Sequence, residues 1–475
     1  MRRYPLILAG KEVTTEKELI VYNPYNGNEF AIVSGAGGNE IESALQATVA
    51  GFEDMKALDT RARVQILEKA RELLGQRGEE FAVTISTESG KTIREARSEV
   101  ARAQETLRLS AIAAEEYMAG QVLPVDAALN GKDKWGFAQR FGAGPVLAIT
   151  PFNFPLNLAM HKIGPAIAAG NSFILKPAPA TSVTGLLLGK LMLDAGMPPN
   201  AVSILPGLGP EVGEPLAQDG RIKVVTFTGS PPVGLKLAKV AGMKLFASEL
   251  GSNSAVYVHE DADLMRAANR TILGGFSLAG QVCISTQRVY IHKNVFDQML
   301  DLLLTGTRAL KIGNQLDETT DIGPMITEAA ADRIEEWISK AVDDGARILL
   351  GGKREKTLFE PTILADVPKD SDLVQKEVFG PVLVVEKVDS AEDGIRAVGD
   401  TDYGLHAGIF TSDIHIARKA FEKLDVGGVI VNDVPTWRAD LMPYGGNRLS
   451  GLGREGPRYA IEHMTVWKTF IVNKE

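Results

Sequence analysis

From Gly144 onwards, short apolar runs alternate with helical segments. The first runs are PVLAIT, NSFILK, AVSIL, KVVTFTGS and SAVYV, and after residue 283 the alternation continues with RVYIH, ARILLGG, PVLVVEKV, HAGIFT and GGVIVN. Strands that alternate with helices favour a parallel sheet with right-handed crossovers. Since domains usually contain roughly 100–200 residues, the 475 residues of this chain accommodate two such α/β units in series.

The first 120 residues have a mainly helical pattern. In the segment TRARVQILEKARELLGQR, Thr60 is a candidate N-cap, and apolar residues then recur at three- and four-residue steps: Val64, Leu67, Ala70 and Leu74. This spacing predicts an amphipathic helix that covers a core. The stretch from Leu123 to Phe141 interrupts the change from helices to the α/β pattern, and a hairpin arm is one interpretation of it.

The charge balance bears on the partners of the chain. It has 51 Lys and Arg against 60 Asp and Glu, a formal charge of −9, which argues against a nucleic-acid or anionic membrane surface and favours small molecules. The apolar run from Leu6 to Ala9 is too short for a signal-peptide core, and no apolar stretch approaches the ~20 residues of a membrane span. We therefore expect a cytoplasmic protein without membrane attachment.

The chain contains one cysteine, Cys283, in the segment FSLAGQVCISTQRV. A lone thiol cannot form an internal disulfide or supply the ligands of a structural zinc site, and we expect no metal site. Two interpretations remain, a buried cysteine that acts as a small hydrophobic side chain and a nucleophile. The second requires a base and an oxyanion donor elsewhere in the chain.

Two polar residues near predicted strand ends are candidates for those roles. Glu249 ends a strand just before Gly251, where its carboxylate can accept a proton from a thiol or from water, although a surface charge is the common alternative. Asn153 lies between two prolines in ITPFNFP, where its amide can donate to a developing oxyanion or can cap the following helix.

Three neighbouring strand ends carry groups that suit a nucleotide. Lys176 ends NSFILK, Gly229 and Ser230 follow KVVTFT, and the glycines of PGLGPEVGE precede a helix. The glycine segment is one residue too long for the G-x-G-x-x-G fingerprint, so it is weak by itself. Because ligands of open parallel sheets lie beyond the carboxyl ends of the strands, the three together indicate a nucleotide cofactor.

Seven segments in register identify a family. ITPFNFP, KPAPAT, FTGSPPVG, SELGSNSA, FSLAGQVC, KEVFGPV and MPYGGNRLSGLGREG have the order and spacing of the NAD(P)-dependent aldehyde dehydrogenase superfamily, which the chain resembles over essentially its whole length. The branch that it resembles most contains the lactaldehyde, phosphonoacetaldehyde and non-phosphorylating glyceraldehyde-3-phosphate dehydrogenases. These share ITPFNFPLNL, AGQVCIS and a VND…MPYGG segment with the chain.

The resemblance implies an α/β fold of two Rossmann-like parallel domains and a small β oligomerisation arm. It places the NAD(P)-binding domain at residues 1–122 and 142–250, the catalytic domain at 251–440, and the arm at 123–141 and 455–475. In the family, a strand such as the C-terminal MTVWKTFIVNKE joins the sheet of a neighbouring subunit. We therefore expect a homodimer or a homotetramer.

The resemblance also implies a chemistry. Cys283 attacks an aldehyde carbonyl, the Asn153 amide and the Cys283 N–H hold the oxyanion, hydride passes to the nicotinamide, and Glu249 activates the water that hydrolyses the thioester. CoA-acylating enzymes generally lack this glutamate, and a silent structural member of the fold would not need all three residues. Cofactor contacts are implied for a larger set: Thr150, Pro151, Phe152, Lys176, Ala178, Gly209, Gly213, Phe227, Gly229, Ser230, Val233, Leu250, Gly251, Glu377 and Phe379.

Two positions depart from the family pattern, and two arginines bear on the substrate. Where this chain has Pro179, many members have a glutamate that binds the adenosine ribose and repels a 2′-phosphate, so we expect NADP to be accepted as well as NAD. Ser252 stands where the family usually has glycine. Arg108 and Arg438 lie in segments that approach the substrate tunnel in this branch, which favours small hydroxylated or anionic aldehydes.

Overall fold

In the computed structural model, which describes residues 2–474, the chain begins with strands rather than helices. The first elements are β1 (Arg2–Tyr4), β2 (Leu6–Leu8), β3 (Lys11–Val13), β4 (Glu18–Tyr22), β5 (Glu29–Ser34), α1 (Gly38–Ala57), α2 (Thr60–Gln76), α3 (Gly78–Ser89) and α4 (Ile93–Glu116). The expected helical pattern is therefore wrong up to Ser34. The sequences ELIVY and EFAIVS form β4 and β5 because they pair with each other, and β5 also pairs with β1.

Helix α2 starts one residue earlier than expected. Asp59, not Thr60, is its N-cap, and the Asp59 carboxylate accepts a hydrogen bond from the Ala62 N–H at 2.7 Å. A carboxylate at this position satisfies a free N–H group and also interacts favourably with the helix dipole.

A hairpin and the first strand–helix alternation follow. Their elements are β6 (Gln121–Leu123), β7 (Lys134–Gly142), β8 (Val146–Ile149), α5 (Asn157–Ala168), β9 (Phe173–Lys176), α6 (Ser182–Asp194), β10 (Val202–Ile204), α7 (Glu214–Gln218), β11 (Val224–Thr228), α8 (Pro231–Ala241) and β12 (Leu245–Glu249).

The second alternation completes the chain. Its elements are β13 (Ala255–Val258), α9 (Leu264–Phe276), β14 (Arg288–His292), α10 (Phe296–Arg308), α11 (Glu328–Asp343), β15 (Arg347–Leu350), β16 (Arg354–Glu355), β17 (Leu358–Phe359), β18 (Thr362–Ala365), α12 (Asp372–Gln375), β19 (Val382–Val388), α13 (Ala391–Gly399), β20 (Tyr403–Gly404), β21 (His406–Phe410), α14 (Ile414–Lys423), β22 (Gly428–Val431), β23 (Asn447–Arg448), β24 (Gly451–Leu452), α15 (Pro457–His463) and β25 (Thr465–Asn473).

Two large sheets organise these elements. The eight-stranded sheet has the order β24-β12-β11-β8-β9-β10-β2-β3, and the seven-stranded sheet has the order β15-β18-β19-β14-β13-β21-β22. Each has a parallel centre, and antiparallel strands β24, β2, β3 and β15 extend the edges. A third, antiparallel sheet joins β25, β7 and β6, with β25 paired to β7 along its whole length. Met1 and Glu475, the outer ends of two predicted domain ranges, lie outside the described residues.

Both large sheets are covered on both faces, which explains their continuous apolar runs. Alternate residues of β8 and β9 pack into separate cores, with Val146, Ala148, Phe173 and Leu175 on one face and Leu147, Ile149 and Ile174 on the other. The seven-stranded sheet is divided in the same way between two further cores. Within residues 2–474, no helix is both long enough and apolar enough to cross a bilayer.

Candidate active site

Many of the predicted site residues line one cavity of about 350 Å³. The eight-stranded sheet contributes residues that end or follow β8, β11 and β12, whereas the seven-stranded sheet contributes residues that precede β14 and β19. The cavity therefore lies between the carboxyl edge of one sheet and the amino edge of the other. Its lining consists of Pro151, Phe152, Asn153, Leu158, Thr228, Gly229, Ser230, Leu250, Gly251, Cys283, Arg333, Glu377 and Phe379.

A larger cavity of about 580 Å³ lies beside β14, β19 and α13. Charged side chains of both signs line it, and it contains none of the predicted site residues. Because the smaller cavity holds the thiol and the groups that suit a nucleotide, we place the candidate active site there.

Cys283 lies between α9 and β14 and is half-buried at the cavity wall. Its Sγ is 3.0 Å from the hydroxyl oxygen of Tyr444. Burial raises the pKa of the thiol to about 12; Glu377 and Glu249 also oppose its ionisation, whereas Tyr444 and Arg438 favour it. The resting thiol is therefore protonated at neutral pH, and a thiolate needs stabilisation from its neighbours.

A left-handed turn sets the position of the thiol. Leu278, Ala279 and Gly280 have φ angles of 47°, 50° and 72°, a conformation that costs a non-glycine residue on the order of 1–3 kcal/mol. A Cβ on Gly280 would lie 2.0 Å from the carbonyl oxygen of Gly380, so glycine is required there. Backbone strain of this kind persists only where surrounding groups hold it.

Three polar side chains hold the turn. Glu95, in the first turn of α4, accepts a hydrogen bond from the Leu278 N–H at 2.9 Å. Gln281 donates to the Leu278 carbonyl at 3.0 Å and accepts from the Ile326 N–H at 2.9 Å. Asn153 donates its Nδ2–H to the Gln281 carbonyl at 2.9 Å. The turn before Cys283 is thus held by side chains from α4, from the segment after β8 and from the turn itself.

The first residue of α5 decides between the two interpretations of Asn153, a helix cap and an oxyanion donor. This helix begins at Asn157 with Leu156 at its N-cap, so Asn153 does not cap it. Asn153 is instead buried at the cavity wall, and its amide is fixed against the segment two residues before Cys283. A fixed amide beside a thiol is typical of an oxyanion donor.

Glu249 ends β12 and is buried. Its Oε2 has no hydrogen-bond partner among the described residues. Burial raises the pKa of Glu249 well above its usual range, and the Glu455 carboxylate raises it further. An unpartnered buried carboxyl group with a raised pKa is typical of an acid–base residue rather than of a structural ion pair.

Two backbone features bring Glu377 to the cavity. Its carboxylate accepts a hydrogen bond from the Ser252 N–H at 3.0 Å, and a Cβ on Gly251 would lie 2.3 Å from its Oε2. A side chain at 251 would therefore displace the Glu377 carboxylate, whereas the Ser252 hydroxyl lies 2.9 Å from that of Ser254. Burial raises the pKa of Glu377 to about 7.

Lys176 is a buried cation at the end of β9. Its Nζ donates to the Pro177 carbonyl at 3.1 Å, and burial lowers its pKa to about 8. The lysine stem lies against Gly213, where a Cβ would be 3.3 Å from Lys176 Cδ. Nearby in the same sheet, the Thr228 hydroxyl is buried without a partner among residues 2–474. Polar groups at the strand ends of one parallel sheet fit a ribose or a phosphate.

The remaining predicted cofactor residues lie along the same sheet edge, outside the cavity lining: Thr150, Ala178, Gly209, Phe227 and Val233. A Cβ on Gly229 would lie 2.5 Å from the Phe227 ring, so the ring packs there only against glycine. A Cβ on Gly209 would meet no atom of the described residues within 4 Å, so contacts within that part of the chain do not require glycine there.

The two predicted substrate arginines have different surroundings. Arg108 is on the exposed side of α4, away from the cavity lining, and its guanidinium donates to both Glu105 oxygens at 2.6 and 2.8 Å. The Arg438 side chain is 6% exposed, and its guanidinium carbon lies 3.7 Å from the centroid of the Tyr444 ring. Through Tyr444, Arg438 is thus connected to the thiol.

Arg438 belongs to a buried charged network. Glu455 accepts hydrogen bonds from Arg438 and from Lys162, each at 3.1 Å. Although burial opposes ionisation, Lys162 and Arg438 hold the pKa of Glu455 at about 2. Glu455 is therefore ionised, and its charge opposes ionisation of the Glu249 carboxyl group.

Asp440 is the second carboxylate of this network. Arg102 donates to both Asp440 oxygens at 2.6 and 3.1 Å, and His161 Nε2 is 2.9 Å from Asp440 Oδ1. Although burial opposes ionisation, His161 and Arg102 hold the pKa of Asp440 well below its usual range. Burial lowers the pKa of His161, which is therefore neutral at pH 7. Three cationic side chains against two carboxylates leave the network positive.

Sequence reasoning missed Tyr444, Glu95, Arg102 and Glu455. Glu95 had a local signal, because Thr92 and Glu95 form a capping box at the start of α4. The signal explains the helix start and not the contact with the turn before Cys283. The other three act through contacts with distant segments, which no local pattern encodes.

Comparisons with known proteins identify the family of the chain. The sequence model of the aldehyde dehydrogenase family matches residues 12–470. The chain is 43% identical over 473 residues to a 3-sulfolactaldehyde dehydrogenase from Priestia aryabhattai, and the match covers 100% of this chain and 98% of the relative.

Two solved structures are also similar. Aldehyde dehydrogenase 21 from Physcomitrella patens, in complex with the reaction product succinate, has a TM-score of 0.97 at 39% identity, over 100% of this chain and 98% of that chain. Glyceraldehyde-3-phosphate dehydrogenase GapN from Methanocaldococcus jannaschii, complexed with NADP, has a TM-score of 0.93 at 38% identity, over 97% and 100%. These matches confirm the predicted fold class.

Proposed function

Because the chain belongs to the aldehyde dehydrogenase family, we propose that it oxidises a small anionic aldehyde to the carboxylic acid with NADP or NAD, through a covalent intermediate on Cys283. The observation that carries the proposal is one cavity wall that combines the Cys283 thiol, the Asn153 amide and the Glu377 carboxylate. Glu249 lies close enough for its charge to oppose ionisation of the thiol.

The residues present fit a dinucleotide. The buried Lys176 ammonium has the Pro177 carbonyl as its partner, and the Thr228 hydroxyl has none among the described residues. Lys176 would hold the adenosine ribose or a 2′-phosphate, and Glu377 would hold the nicotinamide ribose. When bound, the nicotinamide accepts a hydride. Pro179 supplies no carboxylate to repel a 2′-phosphate, and the GapN structure in complex with NADP supports the use of this cofactor.

Asn153 and Cys283 act first. The Cys283 thiolate adds to the aldehyde carbon and forms a thiohemiacetal, whose oxyanion accepts hydrogen bonds from Asn153 Nδ2 and the Cys283 N–H. An amide nitrogen has two hydrogens, so Asn153 can keep its bond to the Gln281 carbonyl while it donates to the oxyanion. As the carbonyl re-forms, the hydride leaves the substrate carbon and a thioester remains on Cys283.

Glu249 acts second. Its carboxylate removes a proton from the water that adds to the thioester, and Cys283 leaves as a thiolate when the acid forms. A CoA-acylating enzyme would instead release the acyl group to a second thiol and would not need this carboxylate. The presence of Glu249 therefore favours hydrolysis.

The charge near the nucleophile supports an anionic substrate. The network of Arg102, Lys162 and Arg438 with two carboxylates is positive, and Arg102 is its more accessible cation at 30% exposure. Each relative named above acts on, or is bound to, a compound with an anionic group. These groups are a sulfonate, a phosphate ester and a carboxylate. We place the substrate anion nearer to Arg102 and Arg438 than to Arg108, which Glu105 already pairs.

The domain division and the assembly are also proposals. The eight-stranded sheet would form the NAD(P)-binding domain, the seven-stranded sheet the catalytic domain, and the sheet of β25, β7 and β6 the oligomerisation arm. A homodimer or homotetramer would cover the apolar side chains that the arm exposes: Val122, Trp135, Phe141, Val466, Trp467, Phe470 and Ile471.

A panel of aldehydes tests the proposal. Reduction of NADP and of NAD is followed with 3-sulfolactaldehyde, glyceraldehyde 3-phosphate, lactaldehyde and hexanal, and acid formation is checked by mass spectrometry. We expect the anionic three-carbon aldehydes to have the highest kcat/KM. Hexanal as the best substrate would exclude the anionic preference, and no reduction of either cofactor with any aldehyde would exclude the activity.

Arginine variants locate the anion site. Arg102→Ala should lower kcat/KM for the anionic aldehydes about ten- to a hundredfold, the usual size of a hydrogen bond to a charged group, while lactaldehyde changes less. Arg108→Ala is the matched control on the same helix as Arg102 and should change neither. Equal losses for charged and neutral aldehydes would indicate a structural role instead.

A further inference from the structure

Tyr444 contacts the reacting sulfur atom. Its hydroxyl oxygen is 3.0 Å from Cys283 Sγ, and the side chain is 1% exposed. The two residues lie in segments that are far apart in the chain, so the fold places this hydroxyl against the thiol. None of the steps proposed above uses it.

The ring of Tyr444 is held from several sides. Its backbone forms both hydrogen bonds of an antiparallel bridge with Glu455, at 3.2 and 2.6 Å. The Arg438 guanidinium lies over one face of the ring at 3.7 Å, and the His406 ring meets it at 5.1 Å and an angle of 72°. Packing of this kind fixes the direction of the hydroxyl and makes it a preorganised donor.

The direction of the hydrogen bond follows from the chemistry. With a protonated thiol, either atom can donate. A thiolate can only accept, so the phenol must then be the donor. Burial raises the pKa of Tyr444 well above its usual range, and the negative charge of an ionised Cys283 raises it further, so the hydroxyl keeps its proton when the thiol loses one.

We propose that the Tyr444 hydroxyl donates a hydrogen bond to the Cys283 thiolate and is a further catalytic group of this site, with Arg438 stacked on the ring to support it. The phenol keeps its proton throughout, and the thiol proton leaves to solvent. The inference rests on the proposed function only in taking Cys283 as the nucleophile. Four groups then influence the ionisation of the thiol: Tyr444 and Arg438 favour the thiolate, and Glu249 and Glu377 oppose it.

Thiol alkylation tests the inference without any aldehyde. Cys283 is the only cysteine of the chain, so the rate of reaction with iodoacetamide reports on it alone. In Tyr444→Phe, which removes one oxygen, the rate constant of alkylation between pH 7 and 9 should fall about three- to tenfold. The loss of a hydrogen bond to a charged group lowers the thiolate fraction about ten- to a hundredfold, and the greater nucleophilicity of the less stabilised thiolate offsets about half of that loss on a logarithmic scale. Removal of an oxygen cannot narrow the access to the thiol, so a lower rate constant reports the thiolate population.

The control is Tyr290→Phe, which removes a buried hydroxyl that is 3.2 Å from Arg288 and should leave the rate constant unchanged. Tyr444→Leu is a second variant without the hydroxyl, in case Tyr444→Phe fails to fold. An unchanged or higher rate constant without the Tyr444 hydroxyl would overturn the inference. Since no turnover is measured, either result is distinguishable from a failure of the proposed dehydrogenase activity.

Discussion

The two large sheets face the cavity with opposite edges. From the eight-stranded sheet come residues that end or follow strands, such as Asn153, Thr228 and Leu250. From the seven-stranded sheet come residues that precede strands, such as Cys283 before β14 and Glu377 before β19. The first edge obeys the general rule that ligands lie beyond the carboxyl ends of parallel strands, and the second edge reverses it.

The difference has a physical origin. Turns that lead from a strand into a helix present free N–H groups and short polar side chains to a ligand, so the carboxyl edge is suited to phosphate and ribose without further support. The amino edge lacks this advantage, and the chain there adopts a left-handed turn at Leu278 and Ala279, which Glu95 and Gln281 brace. Cofactor binding is thus assigned to ordinary strand–helix turns, whereas the proposed nucleophile follows a strained left-handed turn.

The largest expected effect is that of replacing Cys283 at the amino edge. Its loss should stop the reaction without weakening cofactor binding at the carboxyl edge. Cys283→Ala should lower kcat/KM for aldehyde oxidation by at least about a thousandfold, more than 4 kcal/mol of transition-state stabilisation, while the Kd of the cofactor changes by less than about twofold. Activity and fluorescence titration of NADPH measure the two quantities. Ser285→Ala, in the same segment, is the matched control. Residual oxidation above about a thousandth of the original rate would exclude Cys283 as the nucleophile.

The second prediction tests whether the carboxyl edge contributes to catalysis as well as to cofactor binding. Glu249 lies on the carboxyl edge and yet is assigned to chemistry, because its Oε2 has no partner among residues 2–474 and its pKa is raised by burial. Glu249→Gln should give a burst of NAD(P)H of about one equivalent and then turnover slowed by about a hundredfold, the size of a lost general base.

Glu377→Gln is the matched control for this experiment. Because Glu377 is assigned to the cofactor, its variant should slow the burst itself instead of the steady state that follows. Stopped-flow absorbance distinguishes the two phases. A steady state unchanged by Glu249→Gln would contradict its role in deacylation.

The contrast between the two sheet edges also explains which features of the protein could be predicted from the sequence. Strand–helix alternation indicates parallel sheets, because strands buried on both faces are continuously apolar. Once strand ends are recognised, the carboxyl-edge rule predicts that Lys176, Ser230 and Glu249 lie near one another. The short strands β1 to β5 were not anticipated, since three to six residues carry little periodic signal and their pairing partners decide the conformation.

At the amino edge, the sequence predicts the thiol but not the residues that contact it. Cys283 is identified by its motif, but its contact with Tyr444 joins residues 161 positions apart. The buried network of Arg438, Glu455 and Lys162 is equally non-local. In sequence these are ordinary charged residues, and only packing shows that they are buried together. Arg438 was predicted near the substrate, whereas its stacking on Tyr444 was not.

The smallest expected effect concerns the charge at the carboxyl edge. Burial lowers the pKa of Lys176 to about 8, so its ammonium is charged at pH 7 and largely neutral at pH 9. A 2′-phosphate, with a second pKa near 6, stays doubly ionised over this range. The attraction that Lys176 provides is therefore present below pH 8 and lost as the pH rises. NAD lacks the 2′-phosphate and serves as the internal reference.

The ratio of KM for NADP to KM for NAD should therefore rise about three- to tenfold from pH 7 to pH 9, which is within the range of one hydrogen bond to a charged group. In Lys176→Met the ratio should be high already at pH 7 and independent of pH, because no ammonium is left to titrate. Lys236→Met, an exposed lysine of α8 that pairs with Glu214, is the matched control and should keep the pH dependence. If the ratio in the unmodified protein is constant across this range, then Lys176 does not face the 2′-phosphate, and tolerance of NADP follows only from the missing carboxylate at Pro179. In that case the carboxyl edge holds the cofactor through hydrogen bonds to neutral groups, and its contrast with the charged surroundings of the thiol becomes sharper.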